Sequence, residues 1–212
     1  MTTNPRLRGL YVITDQDLFL NLQTDICTPV REAIRGGARL VQYRNKTTDV
    51  ETKYAEALAL RALCEEHAVT LLINDDVELA KRVDAHGVHI GQTDMRCEQA
   101  REILGENKII GVTCHNDIAL AQQAQHAGAD YVAFGRFFPS RTKPSATPAT
   151  FEILQLAKTS LSIPVAAIGG ITPENAHTLV AQGAEMLAVS HSVFAASDIS
   201  TSAKQISELF AL

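Results

Sequence analysis

The sequence predicts an α/β protein that folds as a single (β/α)8 TIM barrel over residues 1–212. Short β-branched and apolar runs alternate eight times with stretches whose apolar residues recur at the three-to-four spacing of an amphipathic helix. Glycine also recurs near a helix end before every second strand, in "GGARLV", "AHGVHI", "AGADYV" and "QGAEML", where it suits the left-handed turn that closes a helix. This repetition suggests a barrel assembled from two-strand quarters.

A doubly wound open sheet is the alternative architecture for alternating strands and helices. That fold would need a glycine-rich fingerprint after the first strand, and "YVITDQDLF" contains no glycine. Strands that are apolar on both parities also suit a parallel sheet covered by helices. The predicted strands are residues 10–14, 40–44, 70–74, 87–90, 109–112, 131–135, 165–168 and 186–190, and the clearest helices are 51–67, 118–126 and 174–182.

Composition narrows the class of protein. An apolar fraction of 46% and a charged fraction of 20% are ordinary for a globular chain, and a net charge of −5 argues against a broad nucleic-acid-binding surface. No apolar run is long enough to span a bilayer, and the apolar stretch in "MTTNPRLRGLYVITD" is too short for a secretory signal. We therefore expect a cytoplasmic protein without membrane or nucleic-acid partners; a homo-oligomer is compatible with the sequence.

The four cysteines are scattered along the chain without a C-x-x-C pair. Disulfides are rare in the cytosol, and thiolate metal sites need closer pairs. Cys27, Cys64, Cys97 and Cys114 are therefore predicted to be reduced packing residues.

The second strand carries the first group of chemically useful residues at the carboxyl end of the barrel, called the mouth here, where TIM-barrel active sites lie. In "VQYRNK", Gln42, Arg44 and Lys46 share one parity and are expected to face the barrel axis and the mouth. Tyr43 and Asn45 take the opposite parity. Two cations inside the mouth would repel each other unless an anion lay between them; a solvated strand end is the alternative.

The third and fourth strands end in acidic residues, in "LLINDD" and "GVHIGQTDM". Asp75 or Asp76 could cap the following helix, and Asp94 could cap the next one. Because neighbouring strand ends converge, however, Asp75 and Asp94 can also meet at one point. Two carboxylates without histidine or thiolate partners suit Mg²⁺ completed by water and substrate phosphate, so the sequence predicts a magnesium site.

The fifth strand ends in "IIGVTCHN", where Thr113 offers a hydroxyl at the mouth. Cys114 and His115 are neighbours, but adjacent strand residues point to opposite faces, so covalent catalysis by Cys114 is disfavoured. His89 and His115 could each line the mouth or simply pack.

The last two strands predict a phosphate site. Barrels often bind a phosphate with the loops after strands seven and eight, and Gly170, Val189 and Ser190 match that place in "AIGGITPEN" and "LAVSHSVF". The alternative is a tight turn that needs glycine for its own geometry.

The long connection after strand six reads "GRFFPSRTKPSAT". Ser140, Thr142 and Lys143 can provide hydroxyl donors to one anion and an ammonium to another, so we interpret this loop as a lid over two anionic substrates. Two phosphorylated ligands and one divalent cation indicate a group transfer rather than a rearrangement.

Five motifs in order resemble those of the thiamine phosphate synthase family over essentially the whole chain: "QYRNK", "ND", "GQTD", "SRTK" and "IGGI". Thr113 stands where a serine is common, and Ser140 replaces the first threonine of the loop motif. Both departures keep a hydroxyl. The "GRFF" run is also unusual for the family, and Arg136 has no role that the resemblance assigns.

The resemblance implies Mg²⁺-dependent joining of 4-amino-5-hydroxymethyl-2-methylpyrimidine diphosphate to a thiazole monophosphate by a dissociative transfer. It implies that Asp75 and Asp94 hold Mg²⁺ and that Arg44, Lys46 and Lys143 act on the departing diphosphate. The implied pyrimidine diphosphate site comprises Gln42, Tyr43, Arg44, Asn45, Lys46, Asn74, Thr113 and Lys143. The implied thiazole phosphate site comprises Ser140, Thr142, Gly170, Val189 and Ser190.

Three other functions are compatible with the same barrel. A thiazole tautomerase-like relative would not need the acid pair or the Arg44–Lys46 clamp. A phosphosugar isomerase would want a carboxylate acid or base at a strand end. A ligand-sensing barrel that has lost catalysis would be a binding protein rather than an enzyme.

Overall fold

The computed structural model describes residues 4–21, 24–47, 49–139 and 148–211. Eight parallel strands form a closed barrel in sequential order, with β1 pairing both β2 and β8. The strands are β1 (Gly9–Ile13), β2 (Ala38–Tyr43), β3 (Thr70–Asn74), β4 (Gly87–Ile90), β5 (Ile109–His115), β6 (Tyr131–Gly135), β7 (Val165–Ile168) and β8 (Met186–Val189). The predicted TIM-barrel fold is confirmed.

Helices connect the strands and form an outer layer. In the described part of the chain they are α1 (Gln16–Asn21), α2 (Cys27–Arg35), α3 (Val50–Glu66), α4 (Val77–Arg82), α5 (Cys97–Leu104), α6 (Ile118–His126), α7 (Glu152–Ser160), α8 (Ala176–Ala181), α9 (His191–Phe194) and α10 (Ile199–Ser207), followed by a 3₁₀ turn (Glu208–Phe210). None of the helices among the described residues is long and apolar enough to cross a bilayer.

The predicted bounds are right for β3, β4, β6, β7 and α6. The second strand ends at Tyr43, one residue earlier than expected, and β5 continues past its expected end to His115. Its ladder with β6 shifts register between Thr113 and His115, and His115 has a positive φ of 52°. Because β2 ends at Tyr43, the residues that follow it lie outside the strict alternation of strand side chains on which the parity prediction was based.

Buried side chains form two clusters that alternate along the strands. The smaller cluster fills the barrel and comprises Leu7, Tyr11, Ile13, Leu40, Leu72, Ile109, Tyr131, Ala133, Ala166, Met186 and Ala188. The larger cluster lies between the strands and the helices. This two-sided burial explains why the strands are apolar on both parities.

The glycine repeat is only partly what the pattern suggested. Gly37, Gly128 and Gly183 adopt positive φ angles after helices, but Asp84 takes that conformation before β4. Gly87 lies within β4, where a Cβ atom would approach the carbonyl oxygen of Ile109 to 1.9 Å. Ala68 takes the same conformation before β3, so the left-handed turn is not confined to every second strand.

The four cysteines are free, and all except Cys27 are buried, as predicted. Burial raises the pKa of the Cys114 thiol to about 12. The thiol is therefore protonated at neutral pH, which agrees with its predicted packing role.

Candidate active site

A cation and a carboxylate meet at the ends of β2 and β3. The ammonium of Lys46 donates to Oδ2 of Asp75. Asp75 has a positive φ of 63°, a conformation that aspartate tolerates better than most residues, and its backbone N–H donates to the His89 carbonyl at 2.8 Å. The anionic partner of Lys46 in this structure is thus Asp75, one of the two predicted magnesium ligands.

Asp75 and Asp94 come together as predicted, since their carboxyl groups lie within hydrogen-bonding range of each other. Burial opposes the ionisation of Asp75, but the bonds from Lys46 and Asp94 outweigh it and lower the pKa of Asp75. Burial and the neighbouring Asp75 raise the pKa of Asp94. The two groups therefore titrate as a pair.

Neither member of the pair caps a helix. Asp76 takes that role by accepting from the backbone N–H of Leu79 at 2.9 Å at the start of α4. Asp94 instead accepts from the backbone N–H of Gly91 at 2.7 Å, which closes the turn after β4. The capping alternative thus holds for Asp76 and not for Asp94.

The remaining residues of the β2 end hold its loop in place. The hydroxyl of Tyr43 donates to Glu56 of α3 at 2.6 Å, and the side-chain amide of Asn45 donates to the same carboxylate at 2.9 Å. The backbone N–H of Arg44 donates to the Thr14 hydroxyl at 2.8 Å. Arg44 lines a small cavity together with Tyr43 and Asn45. Because β2 ends at Tyr43, the strand alternation that predicted opposite faces for Arg44 and these neighbours does not extend to Arg44.

Gln42 does face the barrel interior. It is 3% exposed, and its amide nitrogen donates to the Tyr11 hydroxyl at 2.6 Å. At the opposite wall, Oγ1 of Thr113 lies 2.8 Å from Nε2 of His89. Asn74 ends β3 and is aligned with His89 in the ladder. His115 is exposed at the end of β5.

The ends of β7 and β8 are neighbours because Ile168 pairs with Ala188. Gly170 has a φ of 64°, and a Cβ atom there would approach the Pro139 carbonyl oxygen to 2.3 Å. Glycine is therefore required by the turn and by contact with the segment after β6. This is the alternative that the sequence left open, and it does not conflict with ligand binding through the backbone.

Val189 ends β8 and is buried, and Ser190 immediately precedes α9. The Ser190 hydroxyl is buried and has no hydrogen-bond partner among the residues that the structure describes. The loop residues Ser140, Thr142 and Lys143 lie outside the described residues. Arg136, before that loop, accepts from the backbone N–H of Ala149 through its carbonyl at 2.7 Å.

Sequence reasoning assigned no role to several polar residues around this site. Gln92 donates through its side chain to the Thr113 carbonyl at 2.6 Å and so ties the β4 loop to β5; its place in "GQTD" was the available signal. Tyr11 and Tyr131 bond to each other inside the barrel at 2.9 Å. Both looked like ordinary apolar strand positions, because a buried hydroxyl pair has no local pattern.

The fold and site define a (β/α)8-barrel protein with its polar chemistry at the carboxyl ends of the strands, the class that includes many phosphate-handling enzymes. Residues 10–193 match the model of the thiamine monophosphate synthase family. The chain therefore belongs to that family and is a transferase.

Named relatives agree with this assignment. A thiamine-phosphate synthase from Thioalkalivibrio sulfidiphilus is 49% identical over 208 residues, covering 98% of each chain. One from Nitrosococcus oceani is 46% identical, covering 93% of this chain and 90% of the relative. The solved structure of a thiamine phosphate pyrophosphorylase from Pyrococcus furiosus is 34% identical and superposes with a TM-score of 0.87 over 97% of this chain and 96% of that one.

Proposed function

We propose that the protein joins 4-amino-5-hydroxymethyl-2-methylpyrimidine diphosphate to a thiazole monophosphate in a Mg²⁺-dependent reaction that yields thiamine phosphate and diphosphate. The observation that carries this proposal is the meeting of Lys46, Asp75 and Asp94 at the mouth of the barrel. The names of the relatives support the same reaction.

Asp75 and Asp94 would hold the magnesium ion. Two carboxylates that lie close enough to raise the pKa of one of them are stabilised by a cation between them. Groups of three or more histidine, cysteine, aspartate or glutamate residues able to hold a metal are absent from the described part of the chain. A two-carboxylate set leaves positions for water and diphosphate oxygens, as Mg²⁺ prefers. When bound, the ion would neutralise negative charge on the diphosphate.

The charge of the diphosphate would also be met by the chain's own cations. The ammonium of Lys46 already pairs with Asp75. A bound diphosphate would be a second anionic partner for that ammonium. Arg44 and Lys143 would add two further positive charges as the leaving group departs. Tyr43 and Asn45 would contribute by anchoring the loop that carries Lys46 through Glu56.

The other side chains would orient the two substrates. Gln42, Asn74 and Thr113 would bind the pyrimidine diphosphate. The thiazole phosphate would be bound by Ser140, Thr142, Gly170, Val189 and Ser190. A buried Ser190 hydroxyl without a partner among the described residues supports a ligand contact there.

The reaction would begin with cleavage of the carbon–oxygen bond, whose electron pair leaves with the diphosphate. The aminopyrimidine would stabilise the resulting methylene cation, and the thiazole nitrogen would then donate its lone pair to the methylene carbon. Holding the nitrogen in line by its phosphate anchor supplies much of the rate.

The test is incubation of the protein with both phosphorylated substrates and Mg²⁺, followed by measurement of diphosphate and thiamine phosphate. Equal amounts of both products are expected, and both should disappear when a chelator is added or the thiazole phosphate is omitted. A change in the thiazole phosphate alone would indicate a tautomerase-like enzyme. Binding of both substrates without any product would indicate a ligand-sensing barrel.

A further inference from the structure

A chain of five polar side chains crosses the interior of the barrel from β2 to β5. Its links are Gln42 Nε2 to Tyr11 Oη at 2.6 Å, Tyr11 Oη to Tyr131 Oη at 2.9 Å, Tyr131 Oη to His89 Nδ1 at 2.7 Å and His89 Nε2 to Thr113 Oγ1 at 2.8 Å. The two tyrosines are 0–1% exposed and His89 is 8% exposed. Only its two ends, Gln42 and Thr113, have roles in the proposed reaction.

A glycine on β5 leaves space for the Tyr131 side chain of this hydrogen-bond chain. Gly111 of β5 has no side chain, and a Cβ atom there would lie 2.0 Å from Cζ of Tyr131. The Tyr131 ring also stacks on His89, with ring centroids 5.5 Å apart. Within the described part of the chain, two hydrogen bonds and one ring contact thus hold the imidazole.

The direction of the chain follows from counting protons. The amide nitrogen of Gln42 can only donate, so the Tyr11 oxygen is an acceptor there. The hydroxyl proton of Tyr11 then goes to Tyr131, and the proton of Tyr131 goes to Nδ1 of His89. A histidine that accepts at Nδ1 and is neutral carries its proton on Nε2, which donates to Thr113.

The opposite direction of donation would leave one hydroxyl proton without an acceptor. If Tyr131 donated to Tyr11, the Tyr11 proton would be buried without an acceptor among the described residues, and buried donors without partners are unfavourable. With the first direction, the hydroxyl protons of Tyr11 and Tyr131 and the Nε2 proton of His89 each have an acceptor among the described residues.

We propose that this hydrogen-bond chain fixes Thr113 as a hydrogen-bond donor toward the mouth, with His89 and Tyr131 as positioning residues. Oγ1 of Thr113 accepts from His89, so its own proton is directed to a ligand. The inference rests on the proposed function for the identity of that ligand, an acceptor atom of the pyrimidine diphosphate. The chain itself can be tested without any substrate.

The first experiment determines the tautomer of His89 in the ligand-free protein. Long-range ¹⁵N–¹H NMR correlations in protein labelled with ¹⁵N-histidine distinguish the two ring nitrogens, and the spectrum of a His89→Gln variant assigns the signals. We expect the proton on Nε2 alone. A proton on Nδ1 would overturn the proposal, since the chain would then run the other way. This result does not depend on turnover, so it stands apart from a failure of the proposed function.

The second experiment tests the coupling between Tyr131 and Thr113. Tyr131→Phe and Thr113→Val should each lower kcat/KM for the pyrimidine diphosphate by about tenfold, as loss of one hydrogen bond from a substrate-binding group would. The double variant should be little worse than either single variant, and the KM for the thiazole phosphate should not change. Losses that multiply would contradict a shared pathway.

Tyr54→Phe is the matched control for loss of a tyrosine hydroxyl. Tyr54 lies on α3, where its ring packs 4.0 Å from the guanidinium of Arg82, outside the barrel interior. Its kinetics should equal those of the native protein, and so should its His89 tautomer. A tenfold loss of kcat/KM in this control would show that the effect of Tyr131→Phe reports general disturbance, and would overturn the assignment to Tyr131.

Discussion

Asp75 has both a backbone role and a side-chain role in this site. Its left-handed backbone turns the chain at the end of β3, and its carboxylate meets both Lys46 and Asp94. The sequence predicted that Asp75 and Asp94 converge, because neighbouring strand ends do. It did not predict that Lys46 would pair with Asp75, since that contact depends on the path of a loop after β2 has ended.

At this scale we expect Asp94→Asn to weaken the use of Mg²⁺ while keeping the fold, because the amide can still accept from Gly91 but has lost the charge. The Mg²⁺ concentration for half-maximal rate should rise by at least about tenfold, since even outer-shell partners of a metal are worth that much. Initial rates across a Mg²⁺ titration give this value.

Asp198→Asn is the matched control, because it makes the same change at an exposed helix cap on α10. Asparagine caps a helix as well as aspartate, so the Mg²⁺ dependence should match that of the native protein. An Asp94→Asn enzyme with the native response to limiting Mg²⁺ would refute the metal assignment.

Among the elements, strands were predicted more accurately than the turns that precede them. The bounds of β3, β4, β6 and β7 follow from local apolar runs. The glycine before β4 was misassigned, because a left-handed turn and a close approach between strands leave the same letter in the sequence. Asp84 makes the turn, whereas Gly87 allows β4 to lie against Ile109.

Gly87→Ala should therefore destabilise the protein by about 3 kcal/mol, toward the upper end for an overpacked interior, because the new methyl group meets backbone that cannot turn aside. Gly128→Ala, at a left-handed turn where a new Cβ atom would meet only Nε of Arg101 at an ordinary contact distance of 3.8 Å, should cost only about 1 kcal/mol. Urea unfolding of both variants measures the difference. Equal losses would show that β4 and β5 can move apart without cost.

For the whole molecule, His86 links stability to pH at the amino end of the barrel. Its Nδ1 accepts from the backbone N–H of Leu71 at 2.9 Å. Burial, together with the nearby charges of Arg61 and Arg6, lowers the pKa of His86. The neutral ring is thus favoured in the folded state more than in the unfolded chain.

The sign of the effect follows from proton binding. Below the ordinary histidine pKa of about 6.5, the unfolded chain binds more protons at this position than the folded protein does. The free energy of unfolding should therefore decrease as the pH falls through 6.5 and below. The slope should be smaller in His86→Asn, which keeps an acceptor but cannot be protonated, and chemical unfolding at several pH values measures it. Identical slopes would exclude His86 as a contributor.

The sequence by itself determined the barrel, the inward direction of Gln42 and the convergence of the two aspartates. These follow from strand periodicity and from the rule that parallel strands end at one edge. Only the tertiary structure decided that Lys46 pairs with Asp75 and that Asp94 closes its own turn. It also decided that tyrosines from β1 and β6, together with His89 of β4, join Gln42 to Thr113 across the barrel. Such contacts join atoms that are distant in sequence, and their distances are set by closure of the sheet and by side-chain geometry rather than by any local pattern.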